Sequence, residues 1–494
     1  MPALRPVIVA AFAATLAAGP AAAQVTPEQV WTAWKGLAGD MGYTLTATAE
    51  RRDGNRLVLD GVLATMLAET HAMRAPMGRV VLRDRGDGTV DITLEPAFDI
   101  TMTVTEPDSE PVEMALSLEQ DGYTAVVSGT PEALTYDFSA AALTIGMSAP
   151  RVDGKEMPLD MTVTLRGLAG SARTLPGDPM GLASDLSAEA LELAVSAENP
   201  EGEGTFDLSL GAEALQSSFQ GAMPQALAQA MTAGLTGKGS YGTGPIEFAF
   251  DVDDKGKTSS VAGRAAGSGV EFGLDPAGLS YRGTVTGAEV TLAGSDIPFP
   301  QLTVTLGEYT MGLTMPLTRS DTAADFALLL RLVDLGLPDE IWSMLDPAAS
   351  LPRDPATLVL DTSGKVQLFH DLTSPEAQGE GAPGQFESVT INALQLKAAG
   401  ADLTGTGAFA FDNTDTETFG GMPRPAGSAE LTLTGGNTLL DRLVALGVVP
   451  PDQVMLVRAM LAMFARPGAG PDTLTSKLEI TPEGQILANG QRIQ

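Results

Sequence analysis

The residues that could carry chemistry are few and far apart. Histidine stands only at His71 and His370, and cysteine is absent from all 494 residues. A His-Glu-x-x-His zinc helix needs two histidines four residues apart, and thiolate metal sites need cysteine, so neither can form. A serine triad would have to recruit His71 or His370, yet no Gly-x-Ser-x-Gly elbow is present to expose the serine. The one adjacent pair, His370-Asp371, follows an expected strand and reads as an ordinary loop pair.

Three strings imitate binding motifs. Gly237-Lys-Gly239-Ser-Tyr-Gly242 has dinucleotide-fingerprint spacing, which works only between a strand and the start of a helix. Here a helix is expected before it and a strand after it, so it reads as a linker. Asp251-Val-Asp253-Asp254-Lys-Gly256 opens like a calcium loop, but Lys255 and Ala262 occupy the fifth and twelfth positions, where oxygen ligands belong. Leu360-Asp361-Thr-Ser-Gly364 interrupts the Asp-Thr-Gly of aspartic proteases with a serine, and no clear second copy exists to share the proton. Both read as hairpin turns. Paired carboxylates could still run glycoside hydrolysis, although aromatics make up only 5% of the chain and offer few sugar platforms. The expectation is a protein that is not an enzyme and uses no cofactor or metal. A carboxylate-based hydrolase is kept as a remote alternative.

The start of the chain has the parts of a secretory leader. Arg5 precedes an apolar run from Val7 to Leu16, and Gly19, Pro20 and Ala21-Ala22-Ala23 supply small residues for cleavage before Gln24. The run is shorter than the roughly 20 residues that span a bilayer. The reading is therefore residues 1–23 as a signal peptide, export by the general secretory route, a periplasmic location, and no transmembrane anchor after cleavage. The formal charge is -33, and loss of Arg5 makes it one unit more negative. Such a balance repels phosphate backbones, and no nucleic-acid partner is expected. The acids are scattered, as on a solvated surface.

Thr26-Pro27-Glu28-Gln29 is a capping box with proline at the first helical position. Val30, Trp34, Leu37 and Met41 then recur at helical spacing, with Trp31 beside them. From Tyr43 the period drops to two, and Asp53-Gly54, Gly86-Asp87-Gly88 and Asp121-Gly122 mark hairpins. Strands are expected at 134–147, 159–166, 189–196 and 204–210, then a helix from Met223 to Leu235. A second set runs through 246–253, 258–266, 269–274, 279–285, 288–293, 301–307 and 309–315. A helical block is read over 322–345, with Phe326, Leu329, Leu330 and Val333 as its stripe. Pro338 starts its second part, which carries Ile341, Trp342 and Leu345. Strands at 357–361, 365–369, 387–397, 402–411 and 428–434 surround a loop at 374–385. A last helical block, 438–466, breaks at Pro450-Pro451 and carries Val454, Val457, Leu461 and Phe464. A hairpin at 474–480 and 485–488 closes the chain, followed by a turn at Asn489-Gly490.

The fold class expected is mainly β: long antiparallel curved sheets with amphipathic helices on one face or capping the ends. Short echoes, such as Pro131–Tyr136 with Pro276–Tyr281, would make it a duplicated unit. The divisions read are 24–236, 237–373 and 374–494. Trp31 and Trp34 after the leader, the Thr/Gly-rich strands, Leu335-Gly-Leu-Pro338, Leu446-Gly447 and the Gly484–Gly490 segment resemble a large alphaproteobacterial family of exported proteins known as a domain of unknown function. The resemblance implies an envelope location and assigns no catalytic residue. The function expected is an envelope binding or carrier module for an apolar, lipid-like ligand. Its groove would be lined by Phe326, Leu330, Trp342, Val457, Leu461 and Phe464. The alternative is a scaffold that binds another envelope protein.

Overall fold

The computed structural model of the chain describes residues 24–40, 42–68, 71–105, 111–152, 154–175, 177, 179–199, 204–223, 235–372, 374 and 382–493. The leader, Met41, residues 224–234 of the expected helix and most of the 374–385 loop lie outside them. Among the described residues, strand outweighs helix by 65% to 10%, which settles the mainly β expectation. The strands join one 29-stranded sheet. It is a meander in which each long strand pairs antiparallel with the next; Leu159–Leu175, for example, lies between Ala133–Ser148 and Met180–Glu198. The ladder runs through both division points read from the sequence: Thr205–Met223 pairs with Thr236–Thr243, and Ala356–Leu368 with Gly384–Ala398.

The two faces of this sheet differ chemically. Threonines and ion pairs occupy one: Thr144 and Thr164 share a hydroxyl hydrogen bond at 3.2 Å, and Arg264 meets Glu289 at 2.9 Å across a directly opposed pair. Arg331 donates to Glu308 at 2.8 Å and holds that carboxyl below the usual range. Exposed pairs of this kind contribute about 0–1 kcal/mol each and do more for register than for stability. The other face is apolar. Val163 stands between Ile145 and Leu193, and Leu330 between Met311 and Leu360.

Among the described residues four helices attach to the sheet: α1 (Pro27–Asp40), α2 (Asp339–Leu345), α3 (Gly436–Ala445) and α4 (Pro451–Phe464). The expected capping box starts α1, with Thr26 N–H on Gln29 Oε1 at 2.9 Å and Gln29 N–H on Thr26 Oγ1 at 3.3 Å. Val25, Val30 and Trp31 then pack on Leu57, Leu59, Val80, Leu82, Val90 and Val127, the largest buried cluster described. Both tryptophans are core, and their indole N–H groups find acceptors at Glu50 and Tyr136. Burial pushes the Tyr136 hydroxyl upward in pKa, against the Trp34 hydrogen bond. At the other end, Asp472 caps α3 by accepting the Thr438 N–H at 2.8 Å and the Asn437 N–H at 3.2 Å.

Several expectations are corrected. Residues 324–335 form a strand, not the first half of a helical block. The run Ala327–Leu330 suits either period, and the ladder decides: this segment supplies the backbone partners of both Leu302–Met315 and Ala356–Leu368. Phe326, Leu328, Leu330 and Leu332 therefore alternate onto the apolar face. Asp361–Gly364 is not a hairpin turn, because Ala356–Leu368 runs straight through it with a register shift at Asp361/Thr362. Gly237–Gly242 is strand rather than linker. Asp121-Gly122 does not turn the chain either; Val112–Asp121 and Thr124–Thr130 both pair with Ala133–Ser148 and lie end to end. The Asp254–Lys257 hairpin, the helix after Pro338 and the helix break at Pro450-Pro451 are as expected.

Candidate functional site

The apolar face is organised by a line that crosses the sheet. Gly61, Gly78, Gly122, Gly167, Ala214, Gly287 and Asp334 all take φ between 51° and 71°. Each sits beside a matching break in the neighbouring strand. A Cβ on Gly61 would lie 2.6 Å from Thr48 Oγ1, one on Gly78 2.7 Å from Glu95 Cγ, and one on Gly287 3.1 Å from Ala266 Cβ. Likewise Gly122 adjoins Ala141, Gly167 adjoins Glu189, Gly244 adjoins Ala214, and Gly307 adjoins Asp334.

At this line every long strand carries one extra residue. In Leu159–Leu175 the apolar-face positions are Met161, Val163 and Leu165 before Gly167, then Leu168, Gly170 and Ala172 after it. Thr205–Met223 changes from Leu208, Leu210 and Ala212 to Leu215 and Phe219 across Ala214. Because neighbours slip together, register is kept: Arg166 opposes Ala190, and Ala169 still opposes Ser187. A bulge bends its strand and increases the local twist. A row of them creases the whole sheet.

The crease folds toward the apolar side. Apolar-face residues flanking it are the most buried of their region: Ala140, Ala188, Ala212 and Leu215 are 4–8% exposed, and all but Leu215 are alanine. Ala188 and Leu215 on one side of the line join Ala212, Leu165, Leu191 and Ile246 on the other in one cluster. The result is a trough with an alanine-rich floor and two apolar walls. At about 4.8 Å per strand it runs for about 60 Å, from Thr44–Thr46 to Ala324–Leu335.

Helix α1 fills the trough at the first strands. Farther along, the walls stand open. Phe272 and Tyr281, directly opposed across two strands, are 38% and 39% exposed on the apolar face, with Tyr241 and Met311 beside them.

Beyond the crease, the C-terminal end of α4 overhangs the last strands beside a half-open cavity of about 420 Å³. Leu403, Phe409, Leu431, Leu433, Leu474 and Leu478 form its floor, and Leu461 and Phe464 of α4 line it from above. The Phe464 carbonyl is anchored by Ser476 Oγ at 2.6 Å and Asn489 Nδ2 at 2.9 Å. Of the groove residues expected from the sequence, Leu461 and Phe464 come together here. Phe326 and Leu330 lie on the same sheet face as the cavity floor, and Phe326 crosses over Gly364 to an edge contact with Phe386 at 5.1 Å. Val457 and Trp342 sit half-buried on α4 and α2, outside the lining. The trough floor was missed from sequence. Its only signal is the slip in alternation at each positive-φ residue.

Elsewhere polar groups are engaged in structure. His370 is exposed in a bend, and Asp371 accepts the Arg319 N–H at 2.7 Å. Asp346, fully buried, accepts the Leu351 N–H and the Ser350 hydroxyl and stays ionised below the usual carboxylate range. Among the described residues no group of three acidic or histidine side chains is placed to hold a metal, and no helix is long and apolar enough to cross a membrane.

Residues 242–488 match the family described as an uncharacterized protein conserved in bacteria, DUF2125. The chain belongs to that family. The match begins in the strand Thr236–Thr243 and ends in the strand Ile486–Ala488, so DUF2125 as matched contains the crease from Gly244 to Asp334, the α4 cavity and helices α2 to α4. The α1 plug and the first strands lie before it. No curated protein matches the chain.

Proposed function

We propose that this DUF2125 protein is a binding or carrier module of the bacterial envelope that holds the apolar chain of a lipid-like ligand in its trough. The observation that carries the reading is the open apolar face beyond α1. A single sheet has two faces, and here one is consistently apolar from strand to strand while nothing described covers its middle. Contiguous apolar surface of this extent costs free energy in water and marks a binding surface. The small floor residues leave width for a chain, and the α4 cavity falls within the roughly 300–1,000 Å³ of small-molecule sites. Leader-like residues 1–23 and the acidic, cysteine-free composition support an exported, periplasmic protein.

The test is mass spectrometry of an organic extract of protein purified from its own envelope, without detergent. A co-purifying lipid or fatty acid at near-stoichiometric amount is expected. A clean extract, together with failure to take up a fluorescent fatty acid, overturns the carrier reading in favour of a scaffold that binds another envelope protein.

A further inference from the structure

We infer that the row Phe219, Phe272 and Tyr281 on the open wall, with Tyr241 below it, holds the polar end of the trough's ligand, and that this end is an uncharged carbonyl group. The inference names the ligand class of the trough and rests on the carrier reading.

Strand pairing sets the row. Phe219 and Phe272 both stand opposite Gly239, and Phe272 stands opposite Tyr281, so the three rings share one line across neighbouring strands. Tyr241 is on the same face, two residues nearer the crease than Gly239. Two strand spacings, about 10 Å, separate the backbones of Phe219 and Phe272. Their ring centroids are nevertheless 6.2 Å apart at an interplanar angle of 27°, because both rings lean over the glycine between them. A Cβ on Gly239 would lie 2.9 Å from Phe272 Cε1. Tyr281 leans down the wall toward the crease, and its hydroxyl oxygen lies 2.8 Å from the place a Cβ on Gly283 would take.

Two polar atoms thus stand in an apolar wall. Among the described residues neither the Tyr241 nor the Tyr281 hydroxyl has a hydrogen-bond partner, and the two residues are 42% and 39% exposed. Before a ligand enters, water serves these hydroxyls. A bare hydrocarbon laid over them would remove the water and return nothing, and a hydroxyl left unsatisfied costs roughly tenfold in affinity. A ligand that fits brings an acceptor here and apolar surface around it, as in small-molecule sites where a few polar groups fix orientation.

Charge decides which acceptor. Lys238, Glu271 and Arg282, the charged residues beside the row, alternate with its positions and so belong to the opposite face. Among the described residues of the row no cation is therefore offered to a carboxylate or a phosphate, and the formal charge of -33 repels both. A neutral carbonyl meets the requirement. Its source is the ring of an alkyl quinone, which would also stack on Phe219 and Phe272, or the ester of a fatty acyl chain.

The experiment is calorimetric titration of the purified, delipidated protein with decane, decanoate, ethyl decanoate and decyl benzoquinone. The ester and the quinone should bind more tightly than decane and decanoate, and the tighter of the two names the source. Tyr241→Phe with Tyr281→Phe should weaken the two carbonyl ligands by roughly tenfold and leave decane unchanged. Both positions are exposed and each change removes only a hydroxyl, so melting should match the parent. The inference is overturned if decanoate or decane binds as tightly as the carbonyl ligands, or if the double variant binds those ligands as well as the parent does. If none of the four binds, the carrier reading falls and the inference with it. Binding of decane without preference for a carbonyl sinks the inference alone.

Discussion

If the crease is built into the backbone, Ala214→Gly should stabilise the protein, against the usual direction of that change. Ala214 sits at φ 51° in the middle of a 19-residue strand, and its side chain is exposed, so little packing is lost with the methyl. An L-residue in the left-handed region costs roughly 1–2 kcal/mol, which glycine does not incur. Glycine loses more conformational freedom on folding, about 0.5–1 kcal/mol relative to alanine. The balance is a gain between zero and about 1.5 kcal/mol by the same two figures. Ala249→Gly, in an ordinary part of the strand Ile246–Asp254, keeps only the unfavourable part and should destabilise by about 0.5–1 kcal/mol. Urea midpoints of the two variants, compared with the parent at unchanged slope, read the difference in sign. If Ala214→Gly loses as much stability as Ala249→Gly, the positive φ is not imposed by the sheet and the crease argument fails.

Two further perturbations probe the C-terminal end. Phe464→Ala removes a half-buried ring from the cavity wall and leaves the anchored carbonyl in place. Full burial would make the loss about 3–5 kcal/mol, so roughly 2 kcal/mol is expected, with weaker uptake of a fluorescent fatty acid. A loss near 5 kcal/mol with uptake unchanged would mean that the ring seals a core. Asp412, which accepts the Thr414 hydroxyl and pairs with Arg424, has its pKa lowered from 3.8 to about 2. A depressed folded pKa gives stability that is complete above the unfolded value and is lost as pH falls through the folded one. Acid should therefore loosen the 412–424 turn between about pH 4 and pH 2, and Asp412→Asn should remove that part of the pH dependence, as hydrogen exchange would report.

Much of the meander was legible because period-two alternation with a turn residue identifies strand pairs locally. Val80–Leu82 with Val90–Leu94, and the closing hairpin, came from such signals. What misled was the slip in alternation. Wherever a strand gains a residue at the crease, its apolar set changes parity, and a local reading takes the slip for a strand end. The breaks expected near 287 and 308 are that slip inside the continuous strands Gly278–Gly294 and Leu302–Met315. Phe326–Val333 failed differently: a leucine run satisfies both periods, and only backbone demand from its neighbours decides. At the site, Leu461 and Phe464 were legible as one helical stripe. Val457, on the same stripe, stops short of the cavity because α4 contributes to the lining only over its last turn.

The crease is a property of the sheet rather than of any strand in it. One bulge alone would shift the register between two strands and turn the apolar set of one to the polar side. Here each strand slips in step with its neighbour, so an apolar face persists on both sides of the line while the surface bends. Losing the extra residue in a single strand would oppose leucines to threonines along half its length. That coupling accounts for positive φ recurring with different residue types, glycine at 61, 78, 122, 167 and 287, alanine at 214 and aspartate at 334. It also accounts for the line passing unbroken from the first strands into the part matched by DUF2125. Ala214 and Asp334 hold their positive φ because the paired strands on both sides over-determine the backbone there.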